Sequence, residues 1–499
     1  IENVYNRNQA GIAEIIMNFT DGYGVDAVLI TAGTPSLDPV EFAGEVSRKK
    51  GKVVIVGAVP TGFSRPNYYK KELDLRMSMS YGPGRQDPNY EDKGIDYPYG
   101  YVRWTENRNM QSFVKLLENG SLQVADLISH TYDLQDAPSA YDMILGRQEA
   151  FNGVVVRYDT EKALNKRVPL NETPIKAGEP NIAFVGAGSF AQGTLLPKMK
   201  DKCNLIGIAT NTGNSARYVG DKYSFNYCAA SPAELFQDQN INTVFITTRH
   251  DSHAEYVING IESGKNVFVE KPMALNIEEL EAIKTAYDLA KNNGSPTQVM
   301  VGYNRRFAPA VQEIKKRYSD DLAKSINIRV NAGLVPPDHW VNDPEVGGGR
   351  IIGEGCHFVD LAMYLAGANI TSVCANTLKD PNNLNNSVVI NLEFENGSIA
   401  TVNYFSNGSK SLNKEYMEVF CGGEVAIIDD FKQMTIYGSS TKKIKFGGQD
   451  KGHGKEVELI LNAIKVGKPL PISFEDSYLS TLATLKALES ISQNRKIQF

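Results

Sequence analysis

Asn181-Ile-Ala-Phe-Val-Gly-Ala-Gly-Ser-Phe-Ala191 decides the fold of this chain. The apolar run Ile182 to Val185 reads as a strand buried on both faces. Gly186 and Gly188 follow at once, and an apolar pattern at helical spacing then passes through Leu195, Leu196 and Met199. Strand, glycine turn and helix in this order gather backbone N–H groups at a helix N-terminus, which suits a dinucleotide pyrophosphate. The plain alternative is a βα connection with no ligand. On the nucleotide reading, Gly186, Ala187, Gly188, Ser189 and Phe190 are candidate cofactor contacts.

Strands alternate with helices from 181 to about 302, which implies a right-handed doubly wound parallel sheet. Strands are expected at 205–210 and 243–248. Ser231-Pro-Ala-Glu234 reads as a capping box with Pro at the first helical position, and Asn276 caps a helix from Ile277 to Lys291. From about 303 the pattern changes to strands in series, at 327–331, 387–395, 398–405, 416–421 and 424–429. Asn396-Gly397 between two of them is a hairpin signal, so an antiparallel sheet is expected, closed by helices near 456–466 and 475–492.

Upstream, residues 1–160 read as a partial α/β block. Buried strands are expected at 25–31 and 52–57, with a helix from Leu37 to Lys49 between them that Gly51 stops. A helix at 108–118 places Met110, Phe113, Val114 and Leu117 on one face, and 153–157 is a closing strand. Residues 161–180 are polar, with three prolines, and read as a linker. The expected domains are thus 1–160, the linker 161–180, a Rossmann domain at 181–302 and an antiparallel-sheet domain at 303–499. Ile1 in place of Met, and an opening that reads as a domain interior, suggest a piece of a longer protein.

The 499 residues are 42% hydrophobic with a net charge of −6, and Lys and Arg are scattered, so no nucleic-acid footprint appears. The five cysteines are dispersed without metal-type pairing, which suggests free thiols in a reducing compartment and no metal. No apolar run is long enough to span a bilayer and no signal peptide is visible, so no membrane partner and a cytoplasmic location are expected.

Several residues carry candidate chemistry. Lys271 ends a buried strand, and Pro272 pushes it out of helical geometry; an ammonium there could polarise a carbonyl or orient a hydroxyl. The alternative is a surface loop lysine. His357 follows a glycine-rich loop, early on a helix, and a neutral imidazole can take a hydroxyl proton. Glu354 at i−3 and Asp360 at i+3 share its helical face and could orient the ring or raise its pKa. The alternative is a hydrogen-bonded interface histidine. No carboxylate ends the strand at 205–210; Thr210, Asn211 and the later Arg217 could accept a 2′-phosphate, so NAD and NADP both stay open, with a slight lean away from strict NAD. Asn304 and Arg305 are candidates for cofactor amide and substrate, and Trp340 for stacking on a sugar ring. The aromatic and Arg-rich stretches 81–85 and 101–104 receive no catalytic role.

Four landmarks occur in order: Gly186-Ala-Gly188, then Ile246-Thr-Thr-Arg-His-Asp-Ser-His253, then Gly264-Lys-Asn-Val-Phe-Val-Glu-Lys-Pro272, then Gly347-Gly-Gly-Arg-Ile-Ile-Gly-Glu-Gly-Cys-His-Phe-Val-Asp360. With them, residues 181–499 resemble the Gfo/Idh/MocA family of NAD(P)-dependent oxidoreductases. The resemblance implies a Rossmann domain followed by an open antiparallel sheet, with Lys271 between nicotinamide and substrate. It also implies Thr247, Thr248, His250, His253 and Glu270 on the cofactor wall. One departure stands out: the family often carries Asp four residues before the histidine, and Gly353 stands there, with Glu354 adjacent. Residues 21–30 and 51–57 resemble the second half of a cofactor domain in medium-chain, alcohol-dehydrogenase-like enzymes. Together the resemblances imply a bi-domain oxidoreductase acting on a sugar, nucleotide sugar or cyclitol, in the setting of surface polysaccharides. Rival readings are a redox-neutral epimerase or eliminase with tightly held cofactor, and a nucleotide-binding regulatory protein. The open sheet face suits a homo-oligomer.

Overall fold

The computed structural model describes residues 3–147, 149–161, 165–171, 173–380, 382 and 384–499. The chain divides into two compact units, Ile1–Lys162 and Ala163–Phe499.

In the first unit, β1 (Val25–Ile30), β2 (Ser47–Ile55) and β3 (Asp74–Met77) form a parallel sheet in the order β1-β2-β3, and β4 (Ile128–Asp133) pairs in parallel with β5 (Gly153–Arg157). Val40, Ala43, Val53 and Ile55 form the centre of its small core. The expected helix at 37–49 is corrected here. It covers Asp38–Val46 and gives way to β2 at Ser47, so Gly51 lies inside a strand rather than stopping a helix. β-branched Val53, Val54 and Ile55 pull the preceding residues into the ladder, and register with β1 outweighs local helix preference. The helix Glu106–Glu118 exists, but it buries none of its residues, and Met110, Phe113 and Val114 stay exposed.

The second unit holds two sheets. The first contains β6 (Arg167–Pro169), β7 (Asn181–Val185), β8 (Asn204–Ala209), β9 (Tyr227–Ala229), β10 (Thr243–Ile246), β11 (Asn266–Val269) and β12 (Val299–Val301). Its order is β12-β11-β10-β7-β8-β9-β6, parallel except for β6. Residues 182–185 are all but sealed from solvent, as a strand covered on both faces must be. Phe184, Phe245 and Phe268 are direct neighbours across β7, β10 and β11, with ring centroids 5.2 and 4.6 Å apart. β6 corrects the linker reading: 167–169 adds an antiparallel edge strand to β9, and Arg167 binds Asp238 at 3.0 Å. Positions 162–164 and 172 of that stretch lie outside the described residues.

The capping box at Ser231 is also corrected. The helix there is one turn, Ala233–Phe236, without a side-chain cap, because Glu234 faces Lys166 and Arg167 instead. Asn276 does cap Ile277–Asn292, its side chain accepting from the Glu279 N–H at 2.8 Å.

The second sheet runs β20-β19-β18-β17-β13-β16-β15-β14-β21. Its strands are β13 (Ser325–Asn331), β14 (Ile370–Thr377), β15 (Val388–Phe394), β16 (Ile399–Phe405), β17 (Glu415–Cys421), β18 (Glu424–Asp429), β19 (Gln433–Tyr437), β20 (Lys442–Lys445) and β21 (Ile497–Gln498). All pairs are antiparallel except β13 with β16. The helices Cys356–Ala366 and Phe474–Gln493 cover one face. The cores do not part at residue 303. Val457, Ile460, Leu461 and Phe474 belong to the core of the parallel sheet, so the chain's C-terminal part returns to seal it.

Candidate active site

The order of the parallel sheet reverses at β7, whose neighbours are β10 and β8. A crevice opens at the carboxyl ends of strands at such a switch point. Gly186 follows β7 at φ 83°, a conformation that favours glycine, and a Cβ there would lie 2.8 Å from the Thr247 backbone after β10. The Thr247 hydroxyl donates to the Gly186 carbonyl at 2.8 Å and locks the two strand ends together. Gly188 has open space where a Cβ would stand, and the helical segment begins at Ser189. These residues fit a dinucleotide: a narrow turn that leads into a helix N-terminus, with room for close backbone approach at Gly188.

A cavity of about 540 Å³ lies beside this turn. From the sequence-derived candidates it gathers Phe190, Thr247, Thr248, His250, His253, Glu270, Lys271, Asn304, Arg305, Trp340, Glu354 and His357. Gly186, Ala187, Gly188 and Ser189 form the turn at its edge. Thr210, Asn211 and Arg217 follow β8 and are not among the lining residues; the exposed Arg217 lies 3.8 Å from Asp221. Sequence reasoning missed Arg350, Lys414, Lys451 and His453, all in the lining. Of these, only His453 carried a usable signal, a histidine opening an amphipathic helix, and its ring lies 5.8 Å from that of Phe190.

Lys271 follows β11, and the Lys271–Pro272 peptide is cis. Its ammonium donates to the Gly353 carbonyl at 2.8 Å, and among the described residues it forms no ion pair with a carboxylate. Glu270 beside it is pushed up to about 7 by burial, against the pull of Lys271. His253 donates from Nδ1 to the Pro272 carbonyl at 2.6 Å and so braces the turn that carries Lys271.

His357 opens the helix Cys356–Ala366 and is buried, and its Nδ1 has no hydrogen-bond partner. Burial, then Arg305 and Lys271, hold its pKa well below the usual imidazole value. The expectation that Asp360 or Glu354 orients this ring or raises its pKa is therefore corrected. Asp360 faces the opposite demand: it accepts from Arg306 at 2.7–3.0 Å and from Ser480 at 3.0 Å. Glu354 binds Lys414, Arg350 (3.0 Å) and Tyr404, and these partners bring its pKa down to about 2 despite burial. Asn304 donates to the Lys451 carbonyl at 2.7 Å, and Arg305 forms a two-pronged pair with Glu415 at 2.8 and 2.9 Å.

Gly353 has a local physical cause. A Cβ there would lie 2.8 Å from Cε1 of His250, whose Nδ1 donates to the Gly347 carbonyl at 2.8 Å and whose ring packs on Trp340. The imidazole occupies the space a side chain at 353 would take. Gly353→Asp is expected to overpack this corner and cost about 1–3 kcal/mol. Adding His250→Ala should recover much of it. Thermal melts of the two variants against wild type check this, and an equal loss in single and double variants would refute the steric account.

Comparison with known proteins agrees with this geometry. Residues 180–303 match the model described as the oxidoreductase family with NAD-binding Rossmann fold, and residues 320–423 match the GFO/IDH/MocA C-terminal domain. A scyllo-inositol 2-dehydrogenase (NAD(+)) of Bacillus subtilis is 32% identical over 34% of this chain, and the match spans about half, 48%, of that protein. A myo-inositol 2-dehydrogenase of Thermotoga maritima is 21% identical over 60% of this chain and 92% of its own length. Among solved structures, a levoglucosan dehydrogenase in complex with NADH and levoglucosan superposes with a TM-score of 0.56 at 19% identity, over 64% of this chain and 99% of that one, which speaks to the fold. No helix among the described residues is long and apolar enough to cross a membrane. Residues 180–303 and 320–423 are thus similar to the two domains of the GFO/IDH/MocA oxidoreductases, and most of the residues that line the cavity lie within them.

Proposed function

We propose that this chain is an NAD(P)-dependent dehydrogenase acting on a CH–OH group of a polyhydroxylated ring, a sugar or cyclitol. The observation that carries the reading is the convergence of Lys271 and His357 on one cavity beside the Gly186 turn. Relatives named as inositol dehydrogenases support the substrate class. A bound nicotinamide supplies a two-electron hydride acceptor. The turn at 186–190 and Thr247 hold the dinucleotide; Phe190 and Trp340 offer apolar surface at the cavity wall.

Oxidation of an alcohol removes a hydride from carbon and a proton from oxygen. His357 is the proton acceptor in this reading: its ring lines the cavity, and burial and the nearby cations keep it neutral. The same cations disfavour the imidazolium, so the ring holds the proton only in passing. Lys271 stabilises the negative charge that grows on the substrate oxygen. Gly353 supports that role through its carbonyl, which fixes the ammonium without neutralising it.

Thr210, Asn211 and Arg217 remain the candidates for the ribose contact, and Arg217, exposed and loosely paired, is free to meet a 2′-phosphate. Residues 1–160 are read as half of an alcohol-dehydrogenase-like cofactor domain on the strength of the parallel order β1-β2-β3. Association of copies through the open face of the second sheet, a cytoplasmic location and a role in surface-polysaccharide metabolism belong to the same proposal.

Titration of NADH and of NADPH, followed by fluorescence, tests the core. One of the two should bind, and a screen of sugars and cyclitols should then show hydride transfer. Binding of neither would sink the reading.

A further inference from the structure

The cavity walls carry more positive than negative charge. Lys271, Arg305, Arg350, Lys414 and Lys451 line it, against Glu270 and Glu354, with Glu415 directly behind. The charges are organised as two triads, each with two cations on one carboxylate. Arg350 and Lys414 share Glu354, and Arg305 and Lys451 share Glu415 at 2.8 and 2.6 Å. Each triad keeps one positive charge unspent, and Lys271 adds another with no carboxylate bonded to it.

Five cations against three carboxylates leave a surplus of two. Glu270, held near neutrality, carries only part of its charge and widens that surplus toward three. Such an excess inside a partly desolvated cleft is costly unless a ligand anion meets it. The dinucleotide's own anion is served at the Gly186 turn, on the parallel-sheet side. Four of the five cations stand on segments after residue 303, beyond that sheet. Lys414 is also partly exposed, with 38% of its side chain accessible, so it can leave or share Glu354 without being dug out of a core.

Building on the dehydrogenase reading, we propose that the substrate is a polyhydroxylated ring bearing an anionic group, carboxylate or phosphate, and that Lys414 and Arg350 on Glu354 form its subsite. The reacting hydroxyl lies at Lys271 and His357, and the anionic group selects the ring's orientation. Neutral sugars and cyclitols then bind more weakly than acidic ones.

Calorimetric titration of the NADH-loaded full chain tests this with glucose, D-glucuronate, glucose 6-phosphate and UDP-glucose as probes. The expected result is at least tenfold tighter binding of one acidic probe than of glucose, weakened by added salt. Glucuronate against glucose 6-phosphate and UDP-glucose separates a carboxylate from a phosphate. Lys414→Gln should shrink the preference about tenfold, and Glu354→Gln should enlarge it, while NADH affinity reports that the fold is kept. A purely structural role for either residue predicts no such opposite signs. Equal binding of acidic and neutral probes, or no binding of any probe to a chain that binds NADH, overturns the inference and leaves the dehydrogenase reading standing. A loss of NADH affinity in Lys414→Gln with an unchanged probe ratio assigns the surplus to the cofactor and also overturns it. Failure of wild type to bind NADH or NADPH defeats both.

Discussion

Lys271→Met is expected to lower kcat by about 10²–10³-fold, the usual loss when one charge-stabilising donor is taken from a preorganised site. Cofactor affinity should change little, because the turn at 186–190 and Thr247 lie on other segments. Methionine keeps all but the terminal atom of the side chain's length and its place beside Pro272, so the cavity should not collapse. What disappears is a cation that, among the described residues, is bonded to a carbonyl and to no carboxylate, Gly353 being its partner at 2.8 Å. A cation of this kind keeps its full charge for the substrate oxygen, whereas Arg305 and Lys414 already spend part of theirs on Glu415 and Glu354. Steady-state kinetics together with NADH titration decide the matter. Near-normal turnover would remove Lys271 from the chemistry, and a parallel loss of turnover and cofactor affinity would make it a binding residue instead.

The parts of the site that the sequence made legible are those with local signals. Gly186 and Gly188 sit between a strand and a helix, and Lys271 sits between a strand and a proline; each is read within about ten residues. The parallel sheet was legible for the same reason, since doubly buried strands are continuous apolar runs. The closing sheet was legible as strands but not as a ladder. β13 pairs in parallel with β16, some seventy residues on, and nothing within either strand announces that partner. The same limit hid the electrostatics. Helical spacing placed Glu354 and Asp360 near His357, but partners 50 to 60 residues away in sequence took them: Tyr404 and Lys414 for Glu354, Arg306 for Asp360. Spacing along one helix reports which residues share a face; it does not report which distant charge competes for them. Gly353 shows the same thing from the other side. The Asp that the family resemblance leads one to expect has no room at 353, because the space is filled by His250, 103 positions earlier in the chain.

Asp360 is where the helical-spacing argument and the structure give opposite results, so its replacement has a large and readable effect. Asp360→Ala is expected to destabilise the second unit by about 3–5 kcal/mol, because it strands the buried Arg306 guanidinium. Arg306 is 5% exposed and Asp360 is fully buried. The remaining carboxylate partner, Asp476, meets only one arm of the guanidinium, at 2.6 Å, and is itself 41% exposed. The pair ties the turn after β12 to the helix that carries His357, and Ser480 joins it to the last long helix. Its loss therefore loosens three segments at once. If Asp360 instead oriented His357, the variant would keep its stability and shift the pH profile of turnover. Denaturant unfolding and a pH–rate profile of the same protein separate the two roles. Replacing both partners, Arg306→Met with Asp360→Leu, removes the stranded charge and should return much of the stability, since a buried pair exchanged whole for apolar side chains is often close to neutral. Stability unchanged in Asp360→Ala, or no recovery in the double variant, would refute the structural role.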